Sequence, residues 1–227
     1  MKTIIVVGGS KGIGNAILKK LLNYSKVINI SRTLPGFNHA NLTHFSCDIT
    51  QDNLPDIEAA DALIYCPGSI NLKPITRLSI DDFKNDFEIN VLGAVKAIQK
   101  YLSILKQGNH PAILLFSTVA TQLGMPFHAS IATAKSGVEG LVKSLGAELA
   151  PTIRINAIAP TVTNTDLASK LLRNDKMIEN ITERHPLKKF LNPEEVADMA
   201  EFLISEKSTS LSGQIFKMDC GIVSFKI

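Results

Sequence analysis

The sequence predicts a single α/β domain over residues 1–227, a doubly wound parallel sheet with helices on both faces, three layers in all. Three observations predict it. Short apolar runs alternate with helix-period segments along the chain, the pattern of repeated strand–helix units. The first run, Thr3-Ile4-Ile5-Val6-Val7, passes straight into a glycine-rich turn and then into a helical pattern. Finally, 227 residues of which 45% are apolar supply enough material for a large core and argue against disorder. Together these describe a Rossmann-type architecture.

Taken in order, the first strand spans residues 3–7 and the first helix follows over 15–22. A second strand, 26–31, is rich in β-branched residues. The stretch 32–41 contains Pro35-Gly36 and little helical pattern, so an irregular connection is expected. Strands at 43–47 and 62–65 are joined by another short link, 51–61. A long helix is expected over 81–106, capped by Ser79 and carrying Asp81 and Asp82 at its positive end. Its apolar face would comprise Phe83, Phe87, Val91, Val95, Ile98 and Leu102, with Asn90 set beside that face where an amide is unfavourable unless it has a task. A strand at 112–116 precedes a helix at 130–149 that is rich in small residues and stopped by Pro151. A strand at 154–159 ends at Pro160, and 166–184 reads as a helical lid. Residues 193–203 form a helix with Pro193 at its first turn, and 214–218 is the last strand.

Composition narrows the function classes. The net charge is +3 with no basic block, so a nucleic-acid partner is not expected. Cys47, Cys66 and Cys220 are odd in number and far apart, which fits a reduced, cytoplasmic setting rather than a disulfide framework. No secretory leader and no membrane span is expected. The five histidines show no metal-ligand spacing, so no metal is expected.

The turn Gly8-Gly9-Ser10-Lys11-Gly12-Ile13-Gly14 is the strongest local signal. Its glycines permit backbone angles and close approaches that a Cβ would block. The helix behind it directs unsatisfied N–H groups and a positive dipole end at whatever sits in the turn, and a pyrophosphate suits that place. The second strand ends in Ser31-Arg32, where dinucleotide folds meet the adenosine ribose. An acid there would repel a 2′-phosphate. Instead Arg32 offers a planar fork suited to phosphate, and Lys11 adds a second cation, so NADP(H) is expected over NAD(H).

With these motifs in place, the whole chain resembles the short-chain dehydrogenase/reductase family. Gly8-x-x-x-Gly12-Ile13-Gly14 is similar to that family's cofactor turn, and Asp48-Ile49 to its adenine-contacting position. Asn90-Val91-Leu92-Gly93 matches the helix Asn that helps hold a proton-relay water. Residues 155–160 with Thr165 match the segment flanking the nicotinamide, and 193–197 and 212–221 match the C-terminal pattern. The resemblance implies cofactor contacts from Gly8, Ser10, Lys11, Gly12, Ile13, Gly14, Ser31, Arg32, Asp48, Ile49 and Gly68. It implies others from Asn90, Lys135, Pro160, Val162 and Thr165. It further implies a small-molecule substrate and a homodimer or homotetramer built through helices 81–106 and 130–149.

The family's active site combines a Ser, a Tyr and a Lys, the last two four residues apart on one helix face. The cation lowers the phenol's pKa, and the phenol passes a proton to the substrate oxygen. Here Lys135 is present and the Ser position falls on Thr118, but the position four before Lys135 is Ile131, which has no proton to give. Asn90, Thr118 and Lys135 are therefore the expected catalytic residues. His128, Ser130 and Tyr65 are nearby candidates to replace the acid, with surface or packing roles the simpler expectation for His128 and Tyr65. Two function classes stay open: an NADP(H)-dependent oxidoreductase of a carbonyl or enoyl substrate with an altered proton donor, or a catalytically inactive cofactor-binding or scaffold protein.

Overall fold

The computed structural model describes residues 1–225. Seven parallel strands among them form one sheet: β1 Thr3–Val7, β2 Lys26–Ser31, β3 Leu42–Ser46, β4 Ala62–Tyr65, β5 Ala112–Phe116, β6 Arg154–Pro160 and β7 Ile215–Met218. Their order across the sheet is β3-β2-β1-β4-β5-β6-β7, so the direction of winding reverses between β1 and β4. Pairing is in register at that seam, with Ile5 beside Leu63 and Val7 beside Tyr65. A ligand crevice is expected where the strand order reverses, at the carboxyl ends of these two strands.

Because side chains alternate across a strand, each central strand feeds two cores. Ile5, Val7, Leu63, Tyr65, Ile113, Leu115 and Ile155 face one side. There they meet α3 (Gly93–Leu105) and α4 (Ala129–Leu149), through residues such as Ala97, Tyr101, Val138 and Val142. Ile4, Val6, Ile64, Leu114 and Ile158 face the other side. There α1 (Gly12–Leu21) and α6 (Pro193–Ile204) cover them with Ile17, Leu18, Val196 and Leu203. This explains the near-continuous apolar reading of β1, β4, β5 and β6. The connections 32–41 and 51–61 are irregular, as the sequence predicts. Among the described residues, no helix is long and apolar enough to cross a membrane.

The predicted helix 81–106 runs without interruption over residues 80–105, as α2 (Ile80–Phe87), a π-helical turn (Glu88–Leu92) and α3. Side chains support the wide turn. Asn90 Nδ2 donates to the Asp86 carbonyl at 2.7 Å, and Tyr65 Oη donates to the Ile89 carbonyl at 2.6 Å. The wider turn rotates the following helix. Past it the buried residues are Ala94, Ala97, Ile98, Tyr101 and Leu105, while Phe87, expected in the core, is 40% exposed. Ser79 caps α2 as predicted, with Asp82 completing a capping box. One expectation requires correction: the predicted lid helix 166–184 is discontinuous, a 3-10 turn (Asp166–Ala168) being separated from α5 (Asp175–Arg184) by irregular chain. The Asn174 side chain accepts from Met177 N–H and restarts the helix there.

Candidate active site

The glycine turn lies at the carboxyl end of β1, on the seam. Gly8 has φ +80° and donates its N–H to the Ile30 carbonyl at 2.8 Å. Gly12 has φ +54°, and a Cβ there would lie 3.2 Å from Thr165 Cγ2. A Cβ on Gly14 would fall 2.2 Å from the Gly8 carbonyl oxygen, so only glycine lets α1 press onto the turn. Ser10 contributes its carbonyl to Asn15 Nδ2, and Ile13 packs against the α1–α6 core. Lys11 stands at the N-cap of α1 and makes no side-chain cap bond, leaving first-turn N–H groups directed outward. One anchor escaped the sequence reading: Asn29, fully buried on β2, accepts the Gly9 N–H at 3.0 Å.

At the end of β2, Ser31 is buried and turned inward, donating to the Thr33 carbonyl and accepting from Asn29 Nδ2. Arg32 is the exposed group, with Nη1 at 3.9 Å from Asp48 Oδ2. Lys11 Nζ lies 4.0 Å from Asp166 Oδ2. Neither cation is consumed by a close ion pair. The Asp48 carboxyl accepts from the Thr50 hydroxyl and N–H, and these bonds hold it below the usual carboxylate range. The Ile49 side chain is buried in the core, and its carbonyl receives Lys96 Nζ.

The reactive end gathers around Gly68, just past β4. Lys135, buried on α4, donates to the Phe116 carbonyl at 2.8 Å. Burial pushes its ammonium down to about 8, opposed by Cys66 and Asp86. Asn90 is 1% exposed, and its Nδ2 donates to the Asp86 carbonyl and to Ser69 Oγ. Its Oδ1 is buried with no partner. A Cβ on Gly68 would lie 3.3 Å from that Oδ1 and 3.7 Å from Lys135 Nζ, so the three residues meet at one point. Thr118 follows β5, half-buried, its Oγ1 accepting the Ala120 N–H at 3.3 Å. Its neighbour Ser117 is committed elsewhere, donating to Glu139 Oε1, which also accepts from Thr121.

Ile131 is 4% exposed, one turn before Lys135, and belongs to neither apolar core. Its neighbours offer no replacement hydroxyl. Ser130 points to Asp86, and Tyr65 is bonded to Ile89 within the core, where burial pushes its phenol up. The ring of His128 lies against the Pro126 carbonyl at the mouth of α4. Past β6, Pro160 pairs with Met218, Val162 accepts the Leu191 N–H, and Thr165 sits opposite Gly12. Among the described residues, no group of three or more His, Cys, Asp or Glu could hold a metal ion.

A family model described as enoyl-(acyl carrier protein) reductase matches residues 46–223. The chain belongs to the short-chain dehydrogenase/reductase family. It is 26% identical to 2,5-dichloro-2,5-cyclohexadiene-1,4-diol dehydrogenase of Sphingobium indicum, over 98% of this chain and 97% of that one. It is 25% identical to carbonyl reductase [NADPH] 2 of Sus scrofa, over 97% and 96%. Among solved structures, a short chain dehydrogenase family protein from Francisella tularensis superposes with a TM-score of 0.90 at 25% identity, covering 99% of this chain and all of that one. A nicotinamide dinucleotide fits the residues of this short-chain dehydrogenase/reductase-type oxidoreductase. The cradle of Gly8, Gly12 and Gly14 would be filled by any Cβ, and the orphaned Asn90 Oδ1 faces the reactive end. Asn29, Ser69, Asp86 and Glu139 are the site residues that sequence reasoning missed. For Asp86 a signal existed: an acid four residues before Asn90 must share its helix face.

Proposed function

We propose that this chain is an NADP(H)-dependent oxidoreductase acting on a small carbonyl or enoyl substrate without the phenolic proton donor of its family. The observation that carries the reading is the meeting of Lys135 Nζ and the partnerless Asn90 Oδ1 at Gly68, beside an intact glycine turn. A nicotinamide cofactor supplies the electron pair of the reduction when bound. The α1 N-terminus and the turn hold the pyrophosphate, and Lys135 reaches the ribose hydroxyls. Arg32 and Lys11 favour a 2′-phosphate, because both are exposed and only weakly engaged by Asp48 and Asp166. The NADPH in the name of the Sus scrofa relative agrees with that preference. Thr118 holds the substrate oxygen through its hydroxyl. Ile131 contributes shape alone, so the proton comes from water or from the Lys135 ammonium.

Fluorescence titration with NADPH and NADH tests the cofactor assignment. NADPH should bind more tightly, and Arg32→Ala should erase roughly 10- to 100-fold of the difference, the worth of about 1.5–3 kcal/mol for a charge-assisted bond. Equal affinities, or an NADH preference that survives Arg32→Ala, would refute it. NADPH oxidation with a panel of ketones and conjugated enoyl compounds tests the chemistry. One observation favours the second reading, a binding protein without turnover: the loss of the phenol at Ile131. NADPH binding with no turnover across the panel would select it.

A further inference from the structure

We propose that Asp86 is a positioning residue of the reactive end, holding both Asn90 amide protons, one on its own carbonyl and one through Ser69, so that Oδ1 is turned toward Gly68. The inference rests on the reading that Asn90 and Lys135 form that end. Asp86 is fully buried on α2, yet no direct role in the reaction calls for it. Its carboxylate is held by three neutral donors from two other segments. Oδ1 accepts from Ser69 Oγ and from Asn71 Nδ2 at 3.1 Å, both in the loop after β4. Oδ2 accepts from Ser130 Oγ at 2.6 Å, on α4 next to Ile131. A carboxylate buried this deeply is costly unless its bonds are all made, and here they are.

The polarity of the chain of bonds follows from the charge. An ionised carboxylate only accepts, so the Ser69 hydroxyl must donate to it. Ser69 Oγ then has only lone pairs left for Asn90, and it takes Nδ2–H at 3.1 Å. The second Nδ2 proton goes to the Asp86 carbonyl at 2.7 Å. Both amide protons are spent on this side, so Oδ1 must point the other way. There it lies against Gly68 as a pure acceptor with no partner, on the same glycine that Lys135 Nζ approaches. A neutral side chain at position 86 could donate to Ser69 and cost Asn90 its Ser69 bond, whereas the backbone carbonyl of Asp86, which only accepts, would still hold Nδ2 on that side.

The groups facing Lys135 leave Asp86 as the effective charge. Cys66, at the end of β4, stays a neutral thiol because burial pushes it up to about 12. Glu139, a turn further along α4, is engaged by Ser117 and Thr121. Asp82, a turn before Asp86, is paired with Lys73. Asp86 therefore both orients the acceptor beside Lys135 and favours the protonated form of that lysine, a fitting arrangement where no phenol supplies the proton.

NMR on the protein without nucleotide or substrate tests this, so the outcome is independent of whether the cofactor or substrate assignment stands. Amide exchange of the Asn90 side chain and the titration of 13C-labelled Lys135 are the two readouts. Ser69→Ala should speed Asn90 Nδ2 exchange roughly tenfold or more by freeing one proton, while Ser69→Thr, which keeps the hydroxyl, should restore wild-type exchange. Asp86→Asn should release the same amide and move the Lys135 titration below the wild-type value, whereas Ser69→Ala should leave that titration near wild type. Unchanged Asn90 exchange in Ser69→Ala overturns the proposal, as does an unchanged Lys135 titration in a folded Asp86→Asn protein. Should Asp86→Asn fail to fold, the Ser69 pair decides the matter alone.

Discussion

Ile131 and Lys135 share a face of α4 one turn apart, and the contrast between them sets the chemistry available. The lysine is a buried cation beside Gly68, while the buried side chain one turn before it is aliphatic. Ile131→Tyr is expected to create or raise ketone reductase activity. The new phenol would stand beside the Lys135 ammonium, which would lower its pKa toward the working range. Positioned acid catalysis is worth about 10²–10⁴-fold, so the gain should be plain in an NADPH-oxidation assay. Thr118→Val in that background should abolish the gain by removing the hydroxyl that holds the carbonyl oxygen. An Ile131→Tyr protein that folds and binds NADPH yet reduces no carbonyl compound would show that the substrate pocket has changed as well.

Among the elements, α2 and its π-helical extension carry the most consequence. The wide turn aims Asn90 at the reactive end and places Tyr65 Oη where a Cβ at Gly93 would stand, 2.1 Å away. It also leaves Phe87 and Leu92 at 40% and 44% exposure. With Phe83 and with Thr133 and Ala134 of α4, they line a groove of about 450 Å³ between the two helices. Burying an aromatic or leucine side chain is worth about 1.5–3 kcal/mol, which makes this face a strong candidate for self-association. We therefore propose a homodimer or homotetramer joined through α2 and α4. Light scattering should find the oligomer at micromolar concentration, and Phe87→Asp should dissociate it while leaving the far-ultraviolet spectrum unchanged. A wild-type monomer at that concentration would rule this interface out.

For the molecule as a whole, the buried cation couples folding to pH. Lys135 titrates at about 8 in the folded protein against 10.5 for a free lysine, with burial the main cause. Between those values the unfolded chain binds more protons than the folded one, so this residue's contribution to stability rises with pH. Below about 8 both states are protonated and the cost of burying the cation is felt in full. Urea unfolding at a series of pH values should show that rise, and Lys135→Met should flatten it. An identical pH slope in the two proteins would mean that the lysine is hydrated in the folded state.

From the sequence alone came the class of fold, the strand order along the chain and the glycine turn, because apolar periodicity and glycine spacing are local properties that the backbone must obey. The strands at residues 62–65 and 112–116 coincide with β4 and β5 for that reason. Asn90, Thr118 and Lys135 stood out through their place in an ordered set of motifs, and the fold brings Asn90 and Lys135 together at Gly68. Tertiary structure alone decided the rest. Helix 81–106 read as one continuous run and is one, but its π turn draws on Tyr65, 24 residues before Ile89, as well as on the local Asn90. Asp86 was not singled out in the sequence. Only the packing of α2 against α4 and the loop after β4 removes it from water and surrounds it with Ser69, Asn71 and Ser130, and no periodicity encodes contacts 15 to 44 residues apart.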